Sequence, residues 1–347
     1  MLSPHSVTDT DTDATSINGT DIFREKTEYE RIISPRYKKV KAIYNKLKQF
    51  LVSFTVVLIF VILFVIACLL IVFNSRGKIH TPVNVIQHNI EYGAEAYSLL
   101  DLVEIYKGND VILIQEAFTE NGTDSSSQLA EMLKMNYMSF NTSSTAVISR
   151  WDITLVHEFN KGALVKINNN IPFHVLVMHL DDWYYQPFQA QYIPYERDGI
   201  FQPNTSDPGQ LFSYALTARG QDVITMTNVL EKITEPGIIM GGDFNEPSFM
   251  DWTDRNVKTG FCPVSVRFPS TLIISYTNLG MQDCYRSLYP DEVLDQGLTW
   301  PDRKVDYEYR SDRIDMLFVD KFSTVNSIKV VCGTKSDHCA LAATIKF

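Results

Sequence analysis

The side chains that could do chemistry gather at the ends of apolar β-like runs. Asn89 closes one run, Glu116 follows another (VILIQE), and His179 closes a third just before Asp181 and Asp182. Asp243 and Asn245 follow IIMGG, Asp315 lies in RIDMLF, and Asp337 and His338 precede the last strand. A single carboxylate is usually a turn residue or cap. Five or six polar groups placed directly after apolar strands indicate ligands gathered at the ends of an open sheet. Carboxylates and amides without thiolates suit a hard cation, Mg²⁺ or Mn²⁺. No HExxH, Cys/His zinc spacing, P-loop or G-x-S-x-G elbow is present. Histidines beside such a site fit hydrolysis of a phosphate ester: metal polarises the phosphoryl group, Asp activates water, and His⁺ donates to a phosphoryl oxygen.

The elements that must position these groups alternate in type. Residues 83–90, 110–115, 145–149, 153–159, 173–180, 237–242, 313–319 and 328–332 read as strands, several as near-continuous β-branched runs. Helical periodicity fits 94–106, 128–135 and 217–233, and the stretches 186–210 and 290–310 read as long functional loops. The pattern predicts an α/β fold; two stacked sheets flanked by helices fit it, as do other α/β arrangements.

Residues 50–73 contain no charged side chain, and Ser53 and Thr55 are their only clearly polar ones. About 20 apolar residues cross a bilayer, so this run predicts one transmembrane helix, an uncleaved signal anchor that makes the lipid bilayer a partner. Arg36, Lys38, Lys39, Lys41, Lys46 and Lys48 precede it, and only Arg76 and Lys78 closely follow. The excess predicts a type II protein, with its N-terminus cytosolic and its large domain luminal or extracellular. Residues 1–49 read as a largely disordered cytosolic tail, with a basic helix near the membrane over 30–49.

Residues 74–347 carry 22 Lys+Arg and 34 Asp+Glu, a net charge of −12. That balance disfavours nucleic acid as partner without excluding it, because a bound cation supplies local positive charge. Asn121, Asn141 and Asn204 open N-x-[ST] glycosylation triplets. Cys262, Cys284, Cys332 and Cys339 suit an oxidising compartment; pairings 262–284 and 332–339 compete with buried free thiols.

The ordered set Asn89, QE116, His179, GD243FN245, RID315 and SD337H338 resembles the endonuclease/exonuclease/phosphatase superfamily over 81–347. The resemblance implies a deoxyribonuclease-I-like two-sheet sandwich and a phosphate-ester substrate. It implies Glu116 as metal ligand with Asn89 beside it, and Asp337 close to the metal. Asp243 would orient or deprotonate water, and Asn245 would stabilise the phosphoryl transition state. His338 would contact phosphate, paired with Asp315, and His179 matches a second histidine of the nuclease and sphingomyelinase branches. Tyr184, in the aromatic loop 179–187, and Trp300 and Arg313, flanking Asp315, are the candidate substrate contacts. The continuation GDFNEPS, without the Tyr-Arg of inositol polyphosphate 5-phosphatases, looks most like poorly characterised secreted members. The overall expectation is a membrane-anchored, metal-dependent phosphodiesterase. The alternatives are a tethered nuclease and a binding protein that has lost turnover.

Overall fold

The computed structural model describes residues 19–75, 82–95, 97–170, 172–301 and 311–347, with side chains from 38 to 66 in the first of these segments. Two units separate within the chain, Met1–Arg76 and Gly77–Phe347. The first is one α-helix, Gly19–Ser75. Within its stretch Lys38–Ile66 the most apolar 18 residues reach a mean hydropathy of 2.9, and the helix is long and apolar enough to cross a membrane. The helix takes in the basic stretch and reaches back into the tail that composition alone assigns to disorder. Residues 1–18 lie outside the described part.

The second unit is an α/β sandwich. Its strands are β1 Pro82–Asn89, β2 Val111–Gln115, β3 Asn136–Phe140, β4 Thr145–Ser149, β5 Asp152–Phe159, β6 Gly162–Asn168, β7 Phe173–His179, β8 Glu196–Arg197, β9 Ile200–Phe201, β10 Ile238–Asp243, β11 Gln282–Asp283, β12 Asp315–Val319, β13 Thr324–Val331 and β14 Ala340–Lys346. One six-stranded sheet runs β13-β14-β1-β2-β4-β3, the other β11-β12-β10-β7-β6-β5. β8 and β9 form a separate small hairpin.

Strand periodicity explains the near-continuous apolar runs. Ala163, Val165 and Ile167 of β6 and Leu341, Ala343 and Ile345 of β14 point into the layer between the sheets. The alternate residues of β1 and β2, Ile86, Ile112 and Ile114, point outward against helices Leu99–Tyr106 and Ser125–Leu133. Leu176, Met178, Met240 and Met316 do the same on the second sheet, against helix Gln221–Leu230. With both faces covered, each such side chain contributes about 1.5–3 kcal/mol of burial, which is why both faces are largely apolar.

The structure differs from the sequence expectation in several places. β3 and β6 are strands that the sequence pattern does not separate from their neighbours. β3 is short and half-exposed, and β6, though mostly buried, lies two residues after β5 across a tight turn. The expected helix from 94 is broken. Glu91, Tyr92, Gly93 and Ala94 all have positive φ (50°, 46°, 65° and 62°), and helix begins only at Leu99, capped by the Ser98 side chain. The expected loop 186–210 contains helix Gln186–Gln191 and the β8–β9 hairpin. Of the expected loop 290–310, residues 302–310 lie outside the described part.

β1 pairs parallel to β2, with Asn89 opposite Gln115, and β7 pairs parallel to β10, with His179 opposite Asp243. β12 runs antiparallel to β10, with Asp315 opposite Asp243. This register delivers the polar groups to the same end of both sheets.

Candidate active site

Asp243 is the hub. Its carboxylate is 1% exposed. Oδ2 accepts from Asn89 Nδ2 at 3.0 Å and lies 3.8 Å from both His179 Nε2 and His338 Nε2. Oδ1 accepts from the Asn245 backbone N–H at 2.8 Å. Gly242 lets the strand deliver this group: a Cβ there would lie 1.9 Å from the Met178 carbonyl oxygen of the neighbouring β7. Burial, and then the nearby Asp315, push the Asp243 carboxyl up from 3.8 to about 6, against the pull of the two histidines. A carboxylate so placed is a stronger base than an exposed one.

His338 faces it from the β13–β14 turn. Its Nδ1 hydrogen-bonds Asp315 Oδ2 at 2.8 Å. Burial alone would lower the imidazolium, but Asp315, with Asp243 and Asp337, outweighs burial and raises it from 6.5 to about 10. Burial would raise Asp315 in turn; the His338 charge dominates and holds it below the usual carboxylate range. Asp315 is fully buried, accepts from Gln87 Nε2 at 2.9 Å, and its N–H donates to Thr299 Oγ1 at 3.1 Å. The pair thus presents a fixed cation, Nε2 outward, toward the water side of Asp243.

Glu116 sits on the first sheet with φ +54°. Its Oε1 accepts from Asn89 Nδ2 at 2.9 Å and its Oε2 from the Tyr92 N–H at 2.9 Å, and Gly93 N–H bonds its carbonyl at 2.7 Å. The left-handed turn 91–94 therefore exists to aim successive N–H groups at Glu116. Non-glycine residues held in that region cost about 1–3 kcal/mol each and concentrate at functional sites. Burial would raise Glu116, but His179 (4.0 Å), the Asn89 amide and the Tyr92 N–H outweigh it and lower its carboxyl.

Asn89 joins the halves of the site. Expected beside the metal, it spends its amide nitrogen on both Glu116 and Asp243, and its oxygen accepts from the Glu91 N–H at 3.0 Å. Asn245, with φ +50°, uses one amide hydrogen on the Leu180 carbonyl at 2.9 Å. Asp337 is partly open (33% side-chain exposure), with Oδ1 3.9 Å from His338 Nε2.

The three expected substrate contacts sit in different surroundings. Trp300 donates its Nε1–H to Asp337 Oδ2 at 2.9 Å, with its ring 6.1 Å from that of His338, so it positions the acid–histidine loop. Arg313 is 1% exposed, and its guanidinium is spent on Asp251 (2.9 Å) and Asp283 (2.7 Å). This buried pairing ties the segment before β12 to the stretches that carry Asp251 and Asp283. Arg286 joins the same cluster through Asp251 at 2.7 Å. Removing one partner strands buried carboxylates, so Arg313→Met should cost about 3–5 kcal/mol in urea unfolding. KM should stay unchanged well below the melting point; a raised KM at unchanged stability would restore the substrate role. Tyr184 does lie on the loop after His179, with its ring stacked on Tyr214 at 5.1 Å.

Sequence reasoning missed the support beneath these groups. Gln87 and Thr299 hold Asp315, and Tyr92 holds Glu116. Fully buried Arg219 donates to Glu246 (2.8 Å), to the Asp181 and Trp183 carbonyls (2.7 and 3.1 Å) and to Gln186. It ties the loop after His179 to the loop after Asp243. An arginine on a helix-periodic segment ordinarily reads as solvent-facing; only the π-helical turn Leu216–Gly220 turns it inward.

Two oxygen sets could receive a cation. Asp243, Asp315 and His338 bring donor atoms within 4.8 Å of one another. In that set Asp315 and His338 are already bonded to each other, so it is better occupied by its own proton. Glu116 and Asp337 are the more open carboxylates, with 23% and 33% side-chain exposure. Their negative field is felt at Tyr92, whose phenol is raised first by Glu116, then by burial and by Asp337, Glu120 and Glu91. Hard, incompletely compensated oxygens fit a divalent cation such as Mg²⁺ or Mn²⁺.

The sandwich agrees with the similarity to known proteins. A curated Caenorhabditis elegans protein, "Uncharacterized protein F14F9.5", is 26% identical over 170 residues, 45% of this chain. The chain spans about half of that relative's length, 50%. The fold is similar to the 3'-5' exonuclease NExo from Neisseria meningitidis, with TM-score 0.51 and 12% identity over 76% of this chain and 98% of that one. A single-residue variant of the 3' phosphatase NExo from Neisseria, bound to product DNA hairpin, gives TM-score 0.50 and 12% identity over 75% and 98%. The profile of the Endonuclease/Exonuclease/phosphatase family matches residues 86–338, a span that takes in every group gathered around Asp243, and the chain belongs to that family.

Proposed function

We propose that the chain is a membrane-anchored, metal-dependent phosphodiesterase acting outside the cytosol, with a lipid headgroup or small organic phosphate diester as substrate. The observation that carries the hydrolase reading is the meeting at Asp243 Oδ2 of Asn89, His179 and His338 within 3.0–3.8 Å. A base, a fixed cation and two open carboxylates converge there.

A divalent cation held by Glu116 and Asp337 would polarise the phosphoryl group and offset its growing charge. The protein's own groups do the rest. Asp243 orients a water and takes its proton. His338, fixed by Asp315, donates from Nε2 to a phosphoryl oxygen. Asn245 contributes an amide hydrogen to the same developing charge. Asn89 keeps the base and Glu116 in register.

The substrate choice rests on charge and connection. A net charge of −12 over residues 74–347 repels a polyanion. Residues 74–81 are all that the sequence places between the apolar run and β1. The outward placement rests on the flanking basic residues and on the Cys332–Cys339 disulfide, which suits an oxidising compartment. Glycosylation at Asn121, Asn141 or Asn204 belongs to the same proposal. Detergent-solubilised full chain should be given sphingomyelin-type lipid in mixed micelles and, separately, plasmid DNA, with and without Mg²⁺. Metal-dependent release of phosphorylated headgroup without nicking is expected. Nicking without headgroup release would overturn the substrate class in favour of a tethered nuclease.

A further inference from the structure

β13 and β14 pair antiparallel, and their last register pair is Val331 opposite Ala340. Cys332 and Cys339 follow as the next pair, and they are joined by a disulfide. The six residues between them carry both Asp337 and His338. At this point the backbone ladder has ended: the Cys339 N–H bonds the Thr299 carbonyl at 2.8 Å, away from β13. The covalent bond stands where a ladder hydrogen bond would otherwise close the turn.

Side-chain hydrogen bonds act beside the disulfide, among them His338 Nδ1 with Asp315 Oδ2 at 2.8 Å and Trp300 Nε1–H to Asp337 Oδ2 at 2.9 Å. Thr334 Oγ1 donates to the His338 carbonyl at 2.9 Å, and the His338 N–H donates to Ser336 Oγ at 3.1 Å. Ser336 Oγ–H reaches the Asn89 carbonyl at 2.8 Å, and the Asp337 N–H reaches Glu91 Oε2 at 3.2 Å. Gly333 has φ +74°, which glycine adopts freely, and Lys335 has φ +79°, a strained conformation for a residue with a side chain. Cys339 is 2% exposed, while the loop's acidic tip is open.

We infer that Cys332 and Cys339 are positioning residues for the reaction: their disulfide holds His338 Nε2 against Asp243 and keeps Asp337 turned to the same cleft, so turnover requires the bond intact. The two sulfurs touch no reacting atom. Opening the bond frees the loop to swing on Gly333 and Lys335 and breaks the alignment. The inference rests on the phosphodiesterase reading for its kinetic arm and on the fold alone for its dynamic arm.

The test uses the full chain in detergent, with bis(4-nitrophenyl) phosphate and Mg²⁺, well below the melting temperature. The Cys332→Ser/Cys339→Ser double variant is compared with wild type, with reduced wild type, and with wild type reoxidised after reduction. Loss of alignment should lower kcat by about 10- to 100-fold with KM within about twofold. Reoxidation should restore kcat. Amide exchange over 333–338 should quicken by about tenfold, while 238–243 stays protected. Wild-type kcat in the double variant, or exchange that rises equally in 238–243, would overturn the inference; the latter marks a merely structural bond. If wild type cleaves no phosphodiester, the functional reading fails, and the exchange comparison still decides whether the bond orders the loop.

Discussion

Asp243→Asn is expected to lower kcat by about 10²–10⁴-fold, the contribution of a positioned general base. KM should change little, because the substrate phosphate is held by other groups. The fold should persist. Asn keeps an oxygen to accept from the Asn245 N–H, which bonds Oδ1 at 2.8 Å, but its NH₂ then faces the Asn89 amide nitrogen that Oδ2 accepted from at 3.0 Å. It also removes a buried charge. The Asp243 carboxyl is raised in the fold from 3.8 to about 6. A raised carboxyl contributes its stability below the unfolded value and loses it as pH rises through the folded value. At pH 8 in EDTA the wild type therefore bears the cost of an ionised buried carboxylate, and the variant does not. Thermal melts in EDTA should show the variant gaining on the wild type as pH rises from about 4 to 8. A large fall in melting temperature together with activity would show a structural group, and full activity would remove Asp243 from the reaction.

His338→Gln carries the second large effect, an expected loss of about 10²–10³-fold in kcat. The imidazole is raised to about 10, with Asp315 overcoming the effect of burial. It remains a cation throughout the neutral range. In stability terms its contribution is complete below 6.5 and is lost as pH rises from there through about 10. In rate terms the acid limb of the wild-type profile should reflect Asp243 ionising near 6, or lower with metal bound, and the alkaline limb should fall near 10. The Gln variant should lose the alkaline limb and keep the acid one. Steady-state rates between pH 5 and 10.5 check this; an alkaline limb unchanged in the variant would assign it to another group.

Much of this site was legible because its groups are strand-terminal. A run such as IIMGGD ends in its functional residue, so apolar periodicity itself points to Asp243, and likewise to Asn89 and His179. Strands apolar on both faces pointed to covered sheets, and only the family resemblance pointed to two of them stacked. What stayed hidden depends on partners distant in sequence. Gln87 reads as a polar interruption of β1, yet it bonds Asp315, 228 residues away. Arg313 reads as a charge beside a strand, and only the fold brings Asp251 and Asp283 to it. The same holds for cysteines. Cys332 and Cys339 pair because β13 and β14 pair, whereas Cys262 and Cys284 are buried free thiols, which settles against the 262–284 alternative. The left-handed turn at 91–94 has only one glycine to signal it, because Glu116 and its hydrogen bonds, rather than local preference, hold Glu91, Tyr92 and Ala94 there.

The most direct test of the account is hydrolysis of bis(4-nitrophenyl) phosphate by the full chain in ¹⁸O-enriched water. With Mg²⁺ or Mn²⁺ present, water attack at phosphorus should place one ¹⁸O in each nitrophenyl phosphate released, and EDTA should abolish the reaction until metal is restored. Hydrolysis that persists in EDTA, or label found in the nitrophenol, would contradict it.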